Sequence, residues 1–220
     1  NTLGAELRQL ENKQWEQITL PHTPFVEPLT VLHQWQGICY YKKKITITPE
    51  EAKKHIWIEF EGAMHLADVW INGKHVMQHA GGYTPFVVDA TGLLKTGKEN
   101  ELLVRLDNRN NSLIPPGKPL ETLDFCYYGG IYRNVHLIAK ADVHITHPIL
   151  DGHPAGAGIF ITYPKVSQEL SVVDAKTEIK NTSDKEKVVE LRHTLYTWKK
   201  QKGKDKKYRT FQKHSHCTLA

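Results

Sequence analysis

Apolar and polar residues alternate with a period of two along most of this chain, and that spacing points away from a helical fold. Ile56, Ile58 and Phe60 fall on one side of an extended run, with Trp57, Glu59 and Glu61 on the other. Leu102, Val104 and Leu106 repeat the pattern, as do Val189, Leu191 and Leu195. Successive side chains of a strand point to opposite faces, so each run predicts a half-buried antiparallel strand. Asn72-Gly73 stands between Trp70-Ile71 and His75-Val76, and both residues tolerate the positive φ of a two-residue hairpin turn. Short strands broken by Gly, Pro and Asn predict a β-sandwich. Helical spacing is weak, and Pro49-Glu50-Glu51-Ala52-Lys53 offers a single turn at most.

The 220 residues suffice for one large or two modest domains, and a 40% hydrophobic composition argues against disorder. No run approaches the ~20 apolar residues of a membrane span. The net charge of +5 invites a nucleic-acid reading, but its location opposes one. Residues 199–209 alone carry seven basic side chains and one acid, so the other residues sum to −1. A basic tract around Gly203, between two strand-like runs, predicts a solvated hairpin tip. Cys39, Cys126 and Cys217 are odd in number and lack CxxC spacing, so neither a disulfide framework nor a zinc site is expected. His75 and His79 lie in a hairpin context that keeps them apart. His214 and His216 share a strand face without a nearby carboxylate. No metal and no cofactor are expected.

A boundary falls near residues 139–142. Before it, residues 1–140 form a β-domain closed by the strand 134–138. After it, new strands are predicted at 158–163, 171–180 and 188–198, with Asn181-Thr182-Ser183-Asp184 as the turn between the last two. The tract 141–220 is shorter than the ~100 residues of a complete sandwich of this kind, so this second sandwich is expected to be truncated. The first residue is Asn1 rather than Met. Either a leader has been removed or the chain begins inside a longer gene.

The segment Asp124-Phe125-Cys126-Tyr127-Tyr128-Gly129-Gly130-Ile131-Tyr132-Arg133 concentrates the chemistry. Aromatic faces stack on sugar rings, and a carboxylate accepts hydrogen bonds from vicinal hydroxyls. Paired glycines let backbone and ligand approach closely. Tyr127 and Tyr128 are adjacent, so in an extended stretch one meets sugar while the other packs, and the choice stays open. Asp124 has two readings here: a sugar-gripping acid, or a turn cap paired with Arg133.

Together with Asp68-Val69-Trp70-Ile71-Asn72-Gly73-Lys74, Gly81-Gly82-Tyr83-Thr84-Pro85-Phe86 and Leu20-Pro21-His22-Thr23, this segment resembles the amino-terminal sugar-binding domain of family 2 glycoside hydrolases. The family holds β-galactosidases, β-glucuronidases and β-mannosidases. The resemblance implies an all-β chain, a galactose-binding-like jelly roll followed by part of an immunoglobulin-like domain. The two catalytic glutamates of the family sit on a TIM barrel that follows these domains, so the chain resembles the non-catalytic front of a retaining β-glycosidase, a β-galactosidase first of all. Its expected partners are a β-glycoside and its own barrel domain, with an oligomer open. Export to the periplasm or outside the cell is expected.

By residue type and spacing Asp124 matches the acid that hydrogen-bonds the non-reducing sugar in the family. Tyr127, Tyr128 and Trp35 join it as candidate substrate contacts, with Trp35 also readable as a core plug. Arg133 is expected to buttress the loop by pairing with a carboxylate. The loop Asn110–Gly117 is expected to position Asp124, and His22 to satisfy buried hydrogen bonds. Glu59, Glu61 and Glu121 match no catalytic motif. A stand-alone carbohydrate-binding module and a structural β-sandwich protein are the competing readings.

Overall fold

The computed structural model describes residues 10, 13–25, 34–152, 157–201 and 204–219. Thirteen strands run in chain order: β1 (Ile38–Ile45), β2 (His55–Phe60), β3 (Leu66–Ile71), β4 (Lys74–Ala80), β5 (Phe86–Asp89), β6 (Asn100–Asp107), β7 (Val135–Lys140), β8 (Val143–Ile145), β9 (Ile159–Val166), β10 (Ser171–Thr177), β11 (Ile179–Asn181), β12 (Lys187–Gln201) and β13 (Lys204–Leu219). The one-turn helix α1 (Pro49–Ala52) falls where the sequence placed a single turn. The fold is nearly all antiparallel β, as expected. The chain divides into two compact units, one of residues 1–48 with Trp57–Ile138, the other of Pro49–Ile56 with residues from Ala139 onward.

The first unit holds a four-stranded sheet in the order β1-β6-β3-β4 and a three-stranded sheet in the order β5-β2-β7. Register fixes which side chains enter the core. Leu102, Val104 and Leu106 of β6 stand opposite Ile71, Val69 and Ala67 of β3, so six apolar side chains share one face. On the other sheet Ile58 pairs with Val88 and Phe60 with Phe86, whose rings stack 4.5 Å apart. Phe60, Val69 and Leu106 are wholly buried. Burial at about 25 cal/mol per Å² of apolar surface makes this face the main source of stability. One expectation needs correcting. Trp57 and Val87, on the opposite side of β2 and β5, are buried too, so those strands are not half-exposed.

Asn72 and Gly73 form the predicted two-residue turn between β3 and β4, with φ of 51° and 78°. The Asn72 side chain is held on both ends. Its Oδ1 accepts from Glu101 N at 3.1 Å, and its Nδ2 donates to Asn100 Oδ1 at 2.9 Å. The other face of the four-stranded sheet carries buried charge. Arg105 lies 3.5 Å from Asp68 and 3.4 Å from Asp107, and Asp68 also accepts from Gln78 and contacts His75. His75 is thus tied to Asp68, whereas His79 stacks on Phe86.

The second unit is made of two-stranded ladders, β8 with β11, β9 with β10, and β12 with β13. The predicted strand 171–180 is interrupted at Glu178, whose N–H donates to Gly158 O while its carbonyl accepts from Thr146. The chain changes partner there. Ile159, Ile161 and Tyr163 alternate along β9 and are exposed, whereas the buried residues among those described in this unit are Ile56, His144, Thr146, His147, Ala157 and Gly158. β12 and β13 pair from Lys187↔Leu219 to Gln201↔Lys204, so the basic tract spans the closing end of a hairpin. Its side chains, and those of His214, His216 and Cys217, lie outside the described residues. Cys39 and Cys126 are free thiols. No described group of three or more His, Cys, Asp or Glu is placed to hold a metal ion, and no described helix is long and apolar enough to cross a membrane.

Candidate functional site

Three segments meet beyond the end of β6: Gln34–Gly37, Asn108–Asn111 and the stretch from Leu120 to Ile131. Side-chain amides join them. Asn108 is buried, its Oδ1 accepting from Gly37 N at 2.8 Å and its Nδ2 donating to Trp35 O at 3.0 Å. Asn110 Oδ1 accepts from Gln36 Nε2 at 2.7 Å, from Leu120 N at 3.0 Å and from the Tyr127 hydroxyl at 3.3 Å. Gln36 Nε2 also donates to that hydroxyl, and Gln34 Oε1 accepts from Tyr127 N at 3.1 Å. The loop 120–130 is therefore anchored at its start by Asn110 and at its end by Gln34, Gln36 and the bond from Met64 N to Gly130 O.

Asp124 and Phe125 lie between these anchors, and both are exposed. Asp124 makes no hydrogen bond or ion pair with any described residue, so it neither caps the turn nor pairs with Arg133. Arg133 is exposed and likewise has no partner among the described residues, which corrects its expected pairing with a carboxylate. The two tyrosines divide the work. Tyr127 is buried, packed with Met64 and Leu120, and Tyr128 is half-buried. Trp35 is half-buried with its ring over the backbone of Gly129.

The glycine pair lets the chain's own atoms approach closely. A Cβ on Gly129 would lie 2.9 Å from Asn108 Nδ2 and 3.1 Å from the Trp35 ring. Gly130 has φ of +106°, and its Cβ would lie 2.6 Å from both His22 O and the Tyr41 hydroxyl. His22 takes the expected structural role. Its N–H donates to Ile131 O, and its Nδ1 meets the Tyr41 hydroxyl at 3.0 Å.

Beside the knot opens a polar cleft of about 720 Å³, lined by Gln36, His65, Leu66, Asp107, Arg109, Asn110 and Asn111. Burial would raise the Asp107 carboxyl, but hydrogen bonds from Arg109 and the charges of Arg109 and Arg105 outweigh it and hold the group below the usual carboxylate range. Arg109 grips Asp107 at two points, 2.9 and 2.6 Å. Burial lowers the His65 imidazole, against the charge of Asp107 and a hydrogen bond to the Arg109 backbone, which act the other way. Burial likewise pushes the nearby Cys39 thiol up to about 12, so it stays protonated at neutral pH.

These segments match the profile of glycosyl hydrolases family 2, sugar binding domain, over residues 13–141. The chain belongs to that family. It is 32% identical over 190 residues to a β-glucuronidase of Formosa agariphila, covering 80% of this chain and 19% of that protein. It is 34% identical over 177 residues to a β-galactosidase of Thermoanaerobacter pseudethanolicus, covering 78% of this chain and 24% of that one. The crystal structure of a β-glucuronidase of Bacteroides uniformis superposes with a TM-score of 0.68 at 28% identity, over 94% of this chain and 24% of that one. The family 2 chain thus spans about a fifth to a quarter of the length of the relatives it matches.

Gln36, Asn108 and His65 were not singled out from the sequence. The signal available for Gln36 was its place beside Gln34 and Trp35. Asn108 and His65 sit at strand ends, where nothing local marks them.

Proposed function

We propose that this chain is the non-catalytic amino-terminal part of a retaining β-glycosidase acting on a β-galactoside or a β-glucuronide, the activities its relatives' names carry. In this reading the catalytic barrel belongs to the longer parent protein, and Asp124 takes hydroxyls of the non-reducing sugar. The carrying observation is that Asp124 is exposed and uncommitted on a loop fixed at both ends. A pre-positioned carboxylate gains hydrogen bonds to hydroxyls without the entropic cost of ordering its loop. Tyr128 and Trp35, half-buried, supply aromatic surface beside it, while Tyr127 holds the loop from below. The second unit, with its antiparallel ladders and exposed apolar stripe, is read as the front of an immunoglobulin-like sandwich.

The test is Asp124→Asn in the parent enzyme. A carboxylate hydrogen bond is worth about 1.5–3 kcal/mol, so kcat/KM should fall by about 10- to 100-fold with the melting temperature unchanged. Unchanged kcat/KM would overturn the reading.

A further inference from the structure

The two amides that tie the Asp124 loop to its neighbours are used in opposite senses. Gln36 works as a donor. Its Nε2 gives one hydrogen to Asn110 Oδ1 at 2.7 Å and another to the Tyr127 hydroxyl at 3.0 Å, with a longer contact to Asn108 O at 3.4 Å. Asn110 works as an acceptor. Its Oδ1 collects Gln36 Nε2, Leu120 N at 3.0 Å and the Tyr127 hydroxyl at 3.3 Å. Gln36, Asn110 and Tyr127 therefore close a triangle whose corners lie on three separate segments of the chain. Bonds in such a ring orient and strengthen one another. Asn110 is exposed, so altering its amide removes little packing and acts mainly on geometry.

Residues 121–126, Asp124 among them, run between Leu120 and Tyr127. Leu120 N and the Tyr127 hydroxyl both end on Asn110 Oδ1. One oxygen atom thus pins the two ends of the loop that carries the acid. The same amide pair reaches the aromatic candidate. Gln36 follows Trp35 directly, and the Trp35 ring lies over Gly129, past the far end of that loop. The Trp35 carbonyl is held in turn by Asn108 Nδ2 at 3.0 Å. Asp124 and Trp35, far apart in sequence, therefore hang from one pair of side chains.

We propose that Asn110 and Gln36 are positioning residues, a lock that holds Asp124 and Trp35 as one preformed unit. The proposal rests on the reading of Asp124 as a sugar contact and names what sets its place. The lock needs an acceptor at 110 and a donor at 36, and two isosteric substitutions separate these needs. Asn110→Asp keeps an oxygen for all three donors. Gln36→Glu aims a carboxylate at Asn110 Oδ1 and Asn108 O, and a turned Asn110 amide would leave Leu120 N and the Tyr127 hydroxyl without their acceptor.

Amide exchange in the 220-residue chain tests the lock without substrate. Leu123 N and Tyr127 N donate to Leu120 O and Gln34 Oε1, outside the triangle, so they report opening of the loop as a whole. Asn110→Ala and Gln36→Glu should speed both by about 10-fold or more, with β3 and β6 amides unmoved. Asn110→Asp should stay near the original rate. In the parent enzyme Asn110→Ala and Gln36→Glu should lower kcat/KM by about 10-fold, and Asn110→Asp should retain most of it. Because the lock acts through Asp124, adding Asn110→Ala to Asp124→Asn should cost much less than it does alone. Unaltered exchange in the Ala and Glu variants, equal effects of Asn110→Ala and Asn110→Asp, or full additivity with Asp124→Asn would overturn the proposal. The two readings fail differently. If Asp124→Asn lowers kcat/KM as expected while the Asn110 and Gln36 variants keep it, the positioning role alone is refuted. If Asp124→Asn leaves kcat/KM unchanged, the sugar contact is refuted, and the positioning role falls with it.

Discussion

The two units are built from the same antiparallel ladders, yet they bury different things. In the first, strands add up to sheets of four and three, and their apolar faces are wholly buried at Phe60, Val69 and Leu106. In the second, each ladder has two strands, Ile56 is the one large apolar side chain buried among the described residues, beside His144, Thr146 and His147, and Ile159, Ile161 and Tyr163 are exposed. A two-stranded ribbon is marginal in water until a further strand or layer covers its apolar side. Alternation therefore specifies strands, while stability comes from what lies across the alternating face.

The largest expected effect is in hydrogen exchange. Amides of β3 and β6 should exchange only through global opening of the first unit, and those of β9 and β10 by cheaper local opening, at least ~100-fold faster. Equal protection would break the contrast. Next comes Arg105→Met. It leaves Asp68 and Asp107 without the charge between them, and breaking a buried pair costs about 3–5 kcal/mol. Calorimetry should show the melting of the first unit lowered by about 10 °C or more, with no change in the second. A shift shared by both would mean that the units melt as one.

The smallest effect is a pH dependence of the first unit between pH 7 and pH 5. Burial lowers His65 and His79, so their contribution is complete above an unfolded value of about 6.5 and drains away as pH falls toward the folded one. Asp107, lowered on balance, adds a second loss once the pH falls below the ordinary carboxylate range. Melting at pH 7 and pH 5 should therefore differ for the first unit. The absence of any difference would show that neither histidine is buried in solution.

The fold class was legible because a period of two is a local property, and Asn72-Gly73 marks its turn by residue type alone. The site was legible only in part. Whether Tyr127 or Tyr128 packs is decided by Gln34 and Gln36, which lie 93 and 91 residues away from Tyr127 in sequence. No local pattern carries that choice. Gly129 and Gly130 were recognisable as a place of close approach, but nothing local says that Asn108, Trp35, His22 and Tyr41 crowd them. Arg133 invited an ion pair on charge alone, and charge does not say where a side chain points.

The clamp on Asn72 has a consequence for how this molecule ages. An Asn-Gly step is chemically fragile, because the glycine nitrogen can attack the asparagine side-chain carbonyl and expel ammonia through a five-membered imide. That attack requires the Asn72 amide to swing back over Gly73. Here its oxygen is engaged by Glu101 N and its nitrogen by Asn100 Oδ1. The turn that opens the β3–β4 hairpin is thus shielded from deamidation for as long as the first unit stays folded, and its shelf life follows the stability of the strands around it.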